Sequence, residues 1–338
     1  MQLEERIALL VRLGQHLQTK DEYLEALMKR AAFNNGWFTM ENQERAVSAI
    51  ANQFLNEEKL RTWLSQYDLA AAVDKKTIGL VLAGNIPLVG FHDMLCVFVA
   101  GHRSKIKLSD KDQFVLPYLI KLLGEFNPAA QDYFEIATKL TGFDAVIATG
   151  SNNSARYFEA YFGKYPNIIR KNRNGIAILT GEEDRSELFE LGKDIFQFFG
   201  LGCRNVAKVY VPKDYNFEPL LEALHEYRDI INHTKYKNNF DYNYAMYVLN
   251  KDEYKANGCI ILTENKAIQS RIAGLHYEFF DSLEQLEEEL KSRMEEIQCI
   301  VAKPELVKQP TIPFGMAQEP ELWDYADGVD TLEFLRQL

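Results

Sequence analysis

Of the side chains in this sequence able to do covalent chemistry, Cys203 has the most telling surroundings. It stands in Phe198-Phe199-Gly200-Leu201-Gly202-Cys203-Arg204-Asn205. The pattern predicts a glycine-flanked turn here, between a helix over Asp184 to Phe198 and an alternating strand over Val206 to Val211. A thiol on a turn at a sheet edge is accessible, and its thiolate attacks carbonyl carbon. A single cysteine is more often a small buried hydrophobe, so the turn gains weight only from what accompanies it. Cys96, Cys259 and Cys299 lie far from it and from one another, with no Cys-x-x-Cys pair. Neither a zinc ribbon nor a dithiol motif is readable, no metal is expected, and the four thiols read as reduced.

Two other turns have the chemistry of anion sites. The near-continuous apolar run Thr77 to Ala83 predicts a strand, closed by Gly84-Asn85-Ile86-Pro87 before a buried helix over Leu88 to Ala100. Asp144 to Thr149 predicts another strand, closed by Gly150-Ser151-Asn152-Asn153 before a helix over Ser154 to Phe162. Between them come a short strand, Lys105 to Leu108, and a helix over Gln113 to Leu123. In a parallel sheet such turns lie at the carboxyl ends of strands, where backbone amides and helix N-termini favour phosphates. Together they suggest a nucleotide site; singly, turn geometry and helix capping explain Gly, Asn and Ser equally well. No Gly-x-Gly-x-x-Gly follows the first strand, so the usual dinucleotide fingerprint is absent.

The elements that must carry these turns alternate. Residues 1 to 67 have helical periodicity, and from Lys76 onward strands alternate with helices, which predicts an α/β fold on a parallel sheet. After Cys203 come a helix over Glu218 to Tyr227 and the aromatic stretch Asn238 to Tyr247, whose alternation predicts a strand with one packed face. Strands over Cys259 to Thr263, Tyr277 to Phe280 and Gln298 to Ala302 follow, with an acidic helix over Ser282 to Glu296 and a short helix at the end. Asp324, Asp327 and Asp330 lack calcium-loop spacing. The 338 residues are enough for two domains. A net charge of -11 gives a surface field that opposes nucleic acid and anionic membrane. No secretion signal opens the chain and no apolar run approaches the roughly 18 residues of a membrane span. A cytoplasmic protein without membrane insertion is expected.

In order and spacing the motifs resemble the aldehyde dehydrogenase superfamily. Gly84-Asn85-Ile86-Pro87-Leu88 resembles its Asn-x-Pro turn, which implies an oxyanion-hole role for the Asn85 amide. The stretch from Ala100-Gly101 to Lys107-Leu108-Ser109-Asp110 resembles its second strand, ending in Lys-x-Ser and an acid; there the lysine and acid contact the adenosine ribose. Thr149-Gly150-Ser151 resembles its pyrophosphate turn, Gly200-Leu201-Gly202-Cys203 its nucleophile turn, and Ile312-Pro313-Phe314-Gly315 its late Pro-Phe-Gly segment. The resemblance spans roughly residues 76 to 320 and implies a cofactor site at Lys107, Ser109, Asp110, Gly150 and Ser151. It also implies an aldehyde-dehydrogenase-like fold: helices and a cofactor domain over residues 1–197, a catalytic domain over 198–310 and a C-terminal segment over 311–338.

One departure directs the reading. Where acid-forming members carry Glu-Leu-Gly-Gly, this chain has Asn172-Arg173-Asn174-Gly175, so the glutamate that activates hydrolytic water has no counterpart. An acid-forming enzyme needs that base to hydrolyse its thioester, whereas an enzyme reducing a thioester to an aldehyde does better without it. Within the superfamily the chain is similar to the acyl-CoA reductases that include the fatty-acid reductase of bacterial bioluminescence. The carriers are Leu82 to Pro87, Ala148 to Ser151, the Cys203 turn and Asp324 to Thr331. The resemblance implies reduction of a fatty acyl-CoA through a Cys203 acyl-enzyme, with the oxyanion held by Asn85 and the Cys203 amide. It implies NADPH, with NADH open because the Asp110 carboxylate suits ribose hydroxyls; Lys111 or Arg103 would offset its repulsion of a 2′-phosphate. It also implies a homo-oligomer and an acyl-transferring partner subunit. A base-free reductase of an acyl phosphate, or a binding protein that keeps the fold without catalysis, are the alternatives.

Overall fold

The computed structural model describes residues 1–69 and 74–338. They form two compact units, Met1–Asn172 with Pro320–Leu338, and Arg173–Glu319.

The first unit opens with helices α1 (Leu3–Leu17), α2 (Glu22–Asn34), α3 (Met40–Ala49) and α4 (Glu57–Leu64). Side-chain caps start three of them: Asp21 accepts from the Tyr23 and Leu24 amides, Thr39 from Asn42 and Asn56 from Lys59, each satisfying donors a helix start leaves open. The α1 residues Ile7, Leu10, Leu13 and Leu17 share one buried face, as their spacing requires. Next come β1 (Thr77–Val81), α5 (Phe91–Ala100), β2 (Arg103–Lys107), α6 (Val115–Phe126), β3 (Phe134–Ile136), β4 (Ala145–Thr149), α7 (Asn152–Phe162) and β5 (Asn167–Arg170). The sheet order is β3-β2-β1-β4-β5, parallel throughout. Nine of the ten α5 residues are buried, and this near-continuous apolar helix lies against the core in which Ile78 and Leu80 of β1 are fully enclosed. The sequence reading lacks β3 and β5. β3 has only three residues, two of them exposed; β5 has an arginine at a buried position because Arg170 pairs with Asp93 of α5 at 2.6 Å.

The second unit holds β6 (Asn174–Ile178), α8 (Arg185–Phe196), β7 (Val206–Pro212), α9 (Glu218–His225), α10 (Thr234–Asn250), β8 (Lys255–Ala256), β9 (Ile261–Glu264), β10 (Gly274–Phe280), α11 (Leu283–Ser292) and β11 (Ile297–Val301). Its sheet order is β11-β6-β7-β10-β9-β8, parallel except for β8 on β9. A last helix, α12 (Thr331–Arg336), returns to the first unit.

Two expectations change. The strand expected over Asn238 to Tyr247 is helix: it lies within α10. Its aromatic residues alternate, but they also recur every fourth position as Tyr236, Phe240 and Tyr244, and that spacing prevails. Tyr236, Phe240 and Asn243 form one buried face, and the Phe240 and Tyr244 rings stack at 6.0 Å. The boundary between compact units falls at 172/173 instead of 197/198, so β6 and α8 go with the turn that carries Cys203; residues 311–319 join that unit as well. Among the described residues no helix is long and apolar enough to cross a membrane, and no cluster of metal-ligating side chains occurs.

Candidate active site

In the first unit the chain leaves β1 for β2 and β3 on one side and crosses to β4 and β5 on the other. The connections therefore diverge between β1 and β4, and the carboxyl edge at such a switch point is where open α/β sheets bind ligands. The loops after β1, β2 and β4 meet this edge. Gly84 presses so closely on the β2 loop that a Cβ there would stand 2.5 Å from Ser109 Oγ. Leu82 N–H donates to the Lys107 carbonyl, extending the β1–β2 ladder. Asn85 is half-buried, while the Lys107 and Asp110 side chains are exposed. Leu88 has a left-handed φ of 57°, and its N–H donates to Asp112 Oδ2 at 2.8 Å. Burial raises the Asp112 carboxyl to about 6, against the lowering effect of that amide bond. In the β4 loop Gly150 N–H donates to the Arg170 carbonyl, and a Cβ at Gly150 would meet Phe158 and Ser154 at 2.8 Å. Ser151 caps the eleven-residue α7, its Oγ accepting from Ser154 N–H.

In the second unit the turn that carries Cys203 is strained. Phe198, Phe199 and Gly200 take φ values of 53°, 59° and 72° in succession; two of the three are bulky aromatics in a region that disfavours them. The turn is held by Asn205, which is 1% exposed. Its Nδ2 donates to the Asp194 and Gln197 carbonyls at 2.8 and 2.9 Å, and its Oδ1 accepts from Gly202 N–H at 2.8 Å. Asn205 thus ties the residue before the cysteine to the carboxyl end of α8. Behind it, buried Asp194 accepts from Gly315 N–H at 2.7 Å and Ala317 N–H at 2.9 Å, and Arg204 Nε donates to the Ala317 carbonyl. The Pro-Phe-Gly segment is therefore built into the same support. Burial pushes the Asp194 carboxyl up to about 6, opposed by the two amide bonds. On the other flank Gly175 N–H donates to the Asn205 carbonyl at 2.9 Å, and a Cβ at Gly175 would stand 2.6 Å from the Arg204 carbonyl oxygen. Cys203 itself is half-buried, whereas Cys96, Cys259 and Cys299 are buried.

No protein-family description and no curated protein matches the sequence. Solved structures do. The oxidoreductase from Marinobacter aquaeolei matches with a TM-score of 0.68 at 9% identity, over 95% of this chain and 79% of that one. P. syringae indole-3-acetaldehyde dehydrogenase, solved with NAD+ and IAA, matches with a TM-score of 0.66 at 14% identity, over 92% and 77%. An aldehyde dehydrogenase from Pseudomonas aeruginosa gives 0.66 at 12%, over the same shares. The fold is that of the aldehyde dehydrogenases.

On this aldehyde dehydrogenase fold, the five residues expected at the cofactor sit at two strand ends of one sheet, on either side of β1: Lys107 as the last residue of β2 with Ser109 and Asp110 after it, and Gly150 and Ser151 after β4. Glycine loops with no room for a Cβ, a capped helix start and exposed cationic and anionic side chains are donors and shapes that fit a dinucleotide. Arg103 has no part in this edge: it begins β2 at the opposite end, and its Nε donates to the Asp132 carbonyl. Lys111 remains in the same turn as Asp110, its N–H on Ser109 Oγ. His92 and His102 are packing residues, their Nε2 atoms at the Leu322 and Leu335 carbonyls, and burial lowers both imidazoles. The sequence reading omits Asp112, Asp194 and Asn205. A polar residue in a turn or near a helix end is an ordinary sight; what marks Asp112 and Asp194 is burial against loops distant in sequence, and what marks Asn205 is a side chain buried on the carboxyl end of α8.

Proposed function

We propose that this chain is an acyl-CoA reductase that forms an aldehyde through an acyl group carried on Cys203. The Cys203 thiolate adds to the thioester carbonyl carbon, and the carbon–sulfur bond to CoA breaks. CoA leaves as its thiolate, which takes a proton from water, and the acyl group remains on the enzyme as a thioester. The oxyanion of the addition step is assigned to the Cys203 backbone N–H and the Asn85 amide. Reduced nicotinamide, NADPH in this reading, supplies when bound the hydride that turns the enzyme thioester into aldehyde and free thiolate. The first unit serves as the cofactor-binding part, with Lys107, Ser109, Asp110, Gly150 and Ser151, and the second as the catalytic part.

The observation that carries the reading is the chemistry beside the nucleophile turn. Gly175, hydrogen-bonded to that turn, closes the segment Asn172-Arg173-Asn174-Gly175, which contains no carboxylate where an acid-forming enzyme needs its water-activating base. Arg173 in this segment directs its guanidinium to the Met294 and Ile297 carbonyls. Asp194, a carboxylate of the supporting structure, has both oxygens on backbone amides. Without a base an acyl-enzyme persists long enough to be reduced.

The test is NADPH oxidation by the purified protein across acyl-CoAs of increasing chain length, beside aldehyde oxidation with NADP+ and NAD+. The expected result is acyl-CoA-dependent oxidation, lost in Cys203→Ala, with little conversion of aldehyde to acid. Turnover of an acyl phosphate alone, or efficient acid formation, would contradict the assignment.

A further inference from the structure

Two backbone segments at the carboxyl edge of the first sheet are joined by one side chain that the fold comparison and the motifs leave without a role. Asp112 is 8% exposed and lies beyond the β2 end, in the turn that contains Ser109 and Asp110. Its own N–H donates to the Ser109 carbonyl at 3.0 Å, and Lys111 N–H donates to Ser109 Oγ, so the turn is closed on itself. The Lys111 carbonyl in turn accepts from Asn35 Nδ2, which fixes the turn to the end of α2. From this anchored position the Asp112 carboxylate reaches the β1 loop and accepts from Leu88 N–H at 2.8 Å. Leu88 needs such a partner. It is a branched apolar residue held at φ 57°, a conformation that costs free energy and persists only where neighbours enforce it. A few residues earlier Gly84 rests directly on Ser109. The β1 loop is thus attached to the β2 turn at both ends of Gly84–Leu88, by close packing at one and by the Asp112 carboxylate at the other.

We propose that Asp112 is a positioning residue for the nicotinamide cofactor: its carboxylate locks the Gly84–Leu88 loop to the Ser109–Asp112 turn, so that the loops after β1 and β2, beside the switch point, present one rigid edge to the dinucleotide. The proposal rests on the cofactor reading above. Asp112 touches no cofactor in this account; it acts through the loop, as an acceptor for one amide. An asparagine, whose Oδ1 accepts equally, does the same work, and an alanine does not. Gly84→Ala parts the two loops from the other end without altering Asp112.

The experiment is fluorescence titration of the full chain with NADPH and NADH for wild type, Asp112→Ala, Asp112→Asn and Gly84→Ala, with iodoacetamide labelling of Cys203 as a control on the second unit. Asp112→Ala and Gly84→Ala are expected to weaken dinucleotide binding about tenfold or more, the scale of one buried hydrogen bond lost. Asp112→Asn is expected to stay within about threefold of wild type, and Cys203 labelling to be unchanged in all. Should Asp112→Ala fail to fold, the contrast between Gly84→Ala and Asp112→Asn carries the test. Wild-type affinity in Asp112→Ala or Gly84→Ala, or an Asp112→Asn as weak as Asp112→Ala, overturns the proposal alone. A wild-type protein that binds neither dinucleotide overturns it together with the cofactor reading.

Discussion

Cys203 owes its position to a residue two places further on. Asn205 is an amide used as a two-sided connector, with donors toward the end of α8 and an acceptor toward Gly202. A carboxylate there keeps the acceptor and loses the donors, setting oxygen against the Asp194 and Gln197 carbonyls. Asn205→Asp is therefore expected to cost about 1–3 kcal/mol of stability, the penalty for breaking a buried, satisfied polar group. It is also expected to change the rate of Cys203 alkylation severalfold, because the turn bearing the thiol loses its tether. Urea unfolding and iodoacetamide kinetics measure the two effects; an unchanged alkylation rate would mean that the strained turn holds itself. Nothing in the string Gly-Leu-Gly-Cys-Arg-Asn announces this, since the partners of Asn205 lie on the preceding helix and are backbone carbonyls. The turn was legible; its support was not.

Between elements, the two strand-end loop systems share a device: a buried aspartate that accepts backbone N–H groups from a loop far along the chain, Leu88 for Asp112, Gly315 and Ala317 for Asp194. Each carboxyl is raised from 3.8 to about 6, by burial first, with the amide bonds opposing. The folded state then holds these protons more tightly than the unfolded chain. The stability they contribute is fully present below pH about 4 and is lost as pH rises through about 6, on the order of 3 kcal/mol for each. Asp112→Asn removes one such group while keeping an acceptor for Leu88. Relative to wild type, this variant is expected to gain stability as pH rises from about 4 to about 7. Thermal unfolding of both proteins across that range measures the difference; a constant offset would contradict a raised Asp112. The elements themselves were legible where one period dominated: β1 and β4 are near-continuous apolar runs, β7 alternates, and α5 is apolar but for His92 and Asp93. They were not where a tertiary partner broke the pattern, as Arg170 does in β5, or where two periods coexisted, as in α10.

At the scale of the whole molecule, the chain builds two sheets and then returns. Residues 320–338 go back to the first unit, where Thr331 Oγ1 accepts from Arg170 of the Arg170–Asp93 pair and the Tyr325 hydroxyl meets Trp63 Nε1 and the Tyr67 hydroxyl. The sequence reading took 311–338 as one segment, because the turn residues of 312–318 and the short helix after them give no sign that one half serves each unit. The aldehyde dehydrogenase fold did follow from order and spacing of the motifs. The first unit brings its loops to the carboxyl ends of parallel strands, where backbone amides can serve a cofactor, whereas the Cys203 turn of the second unit leads into the amino end of β7 beside the start of β6. The central claim is that Cys203 carries the acyl group, and the most direct test is intact mass spectrometry after mixing the protein with an acyl-CoA in the absence of nicotinamide cofactor. The account predicts a gain of one acyl mass in wild type, removed by hydroxylamine and absent in Cys203→Ala. An adduct that persists in Cys203→Ala, or none in wild type at any chain length, would contradict it.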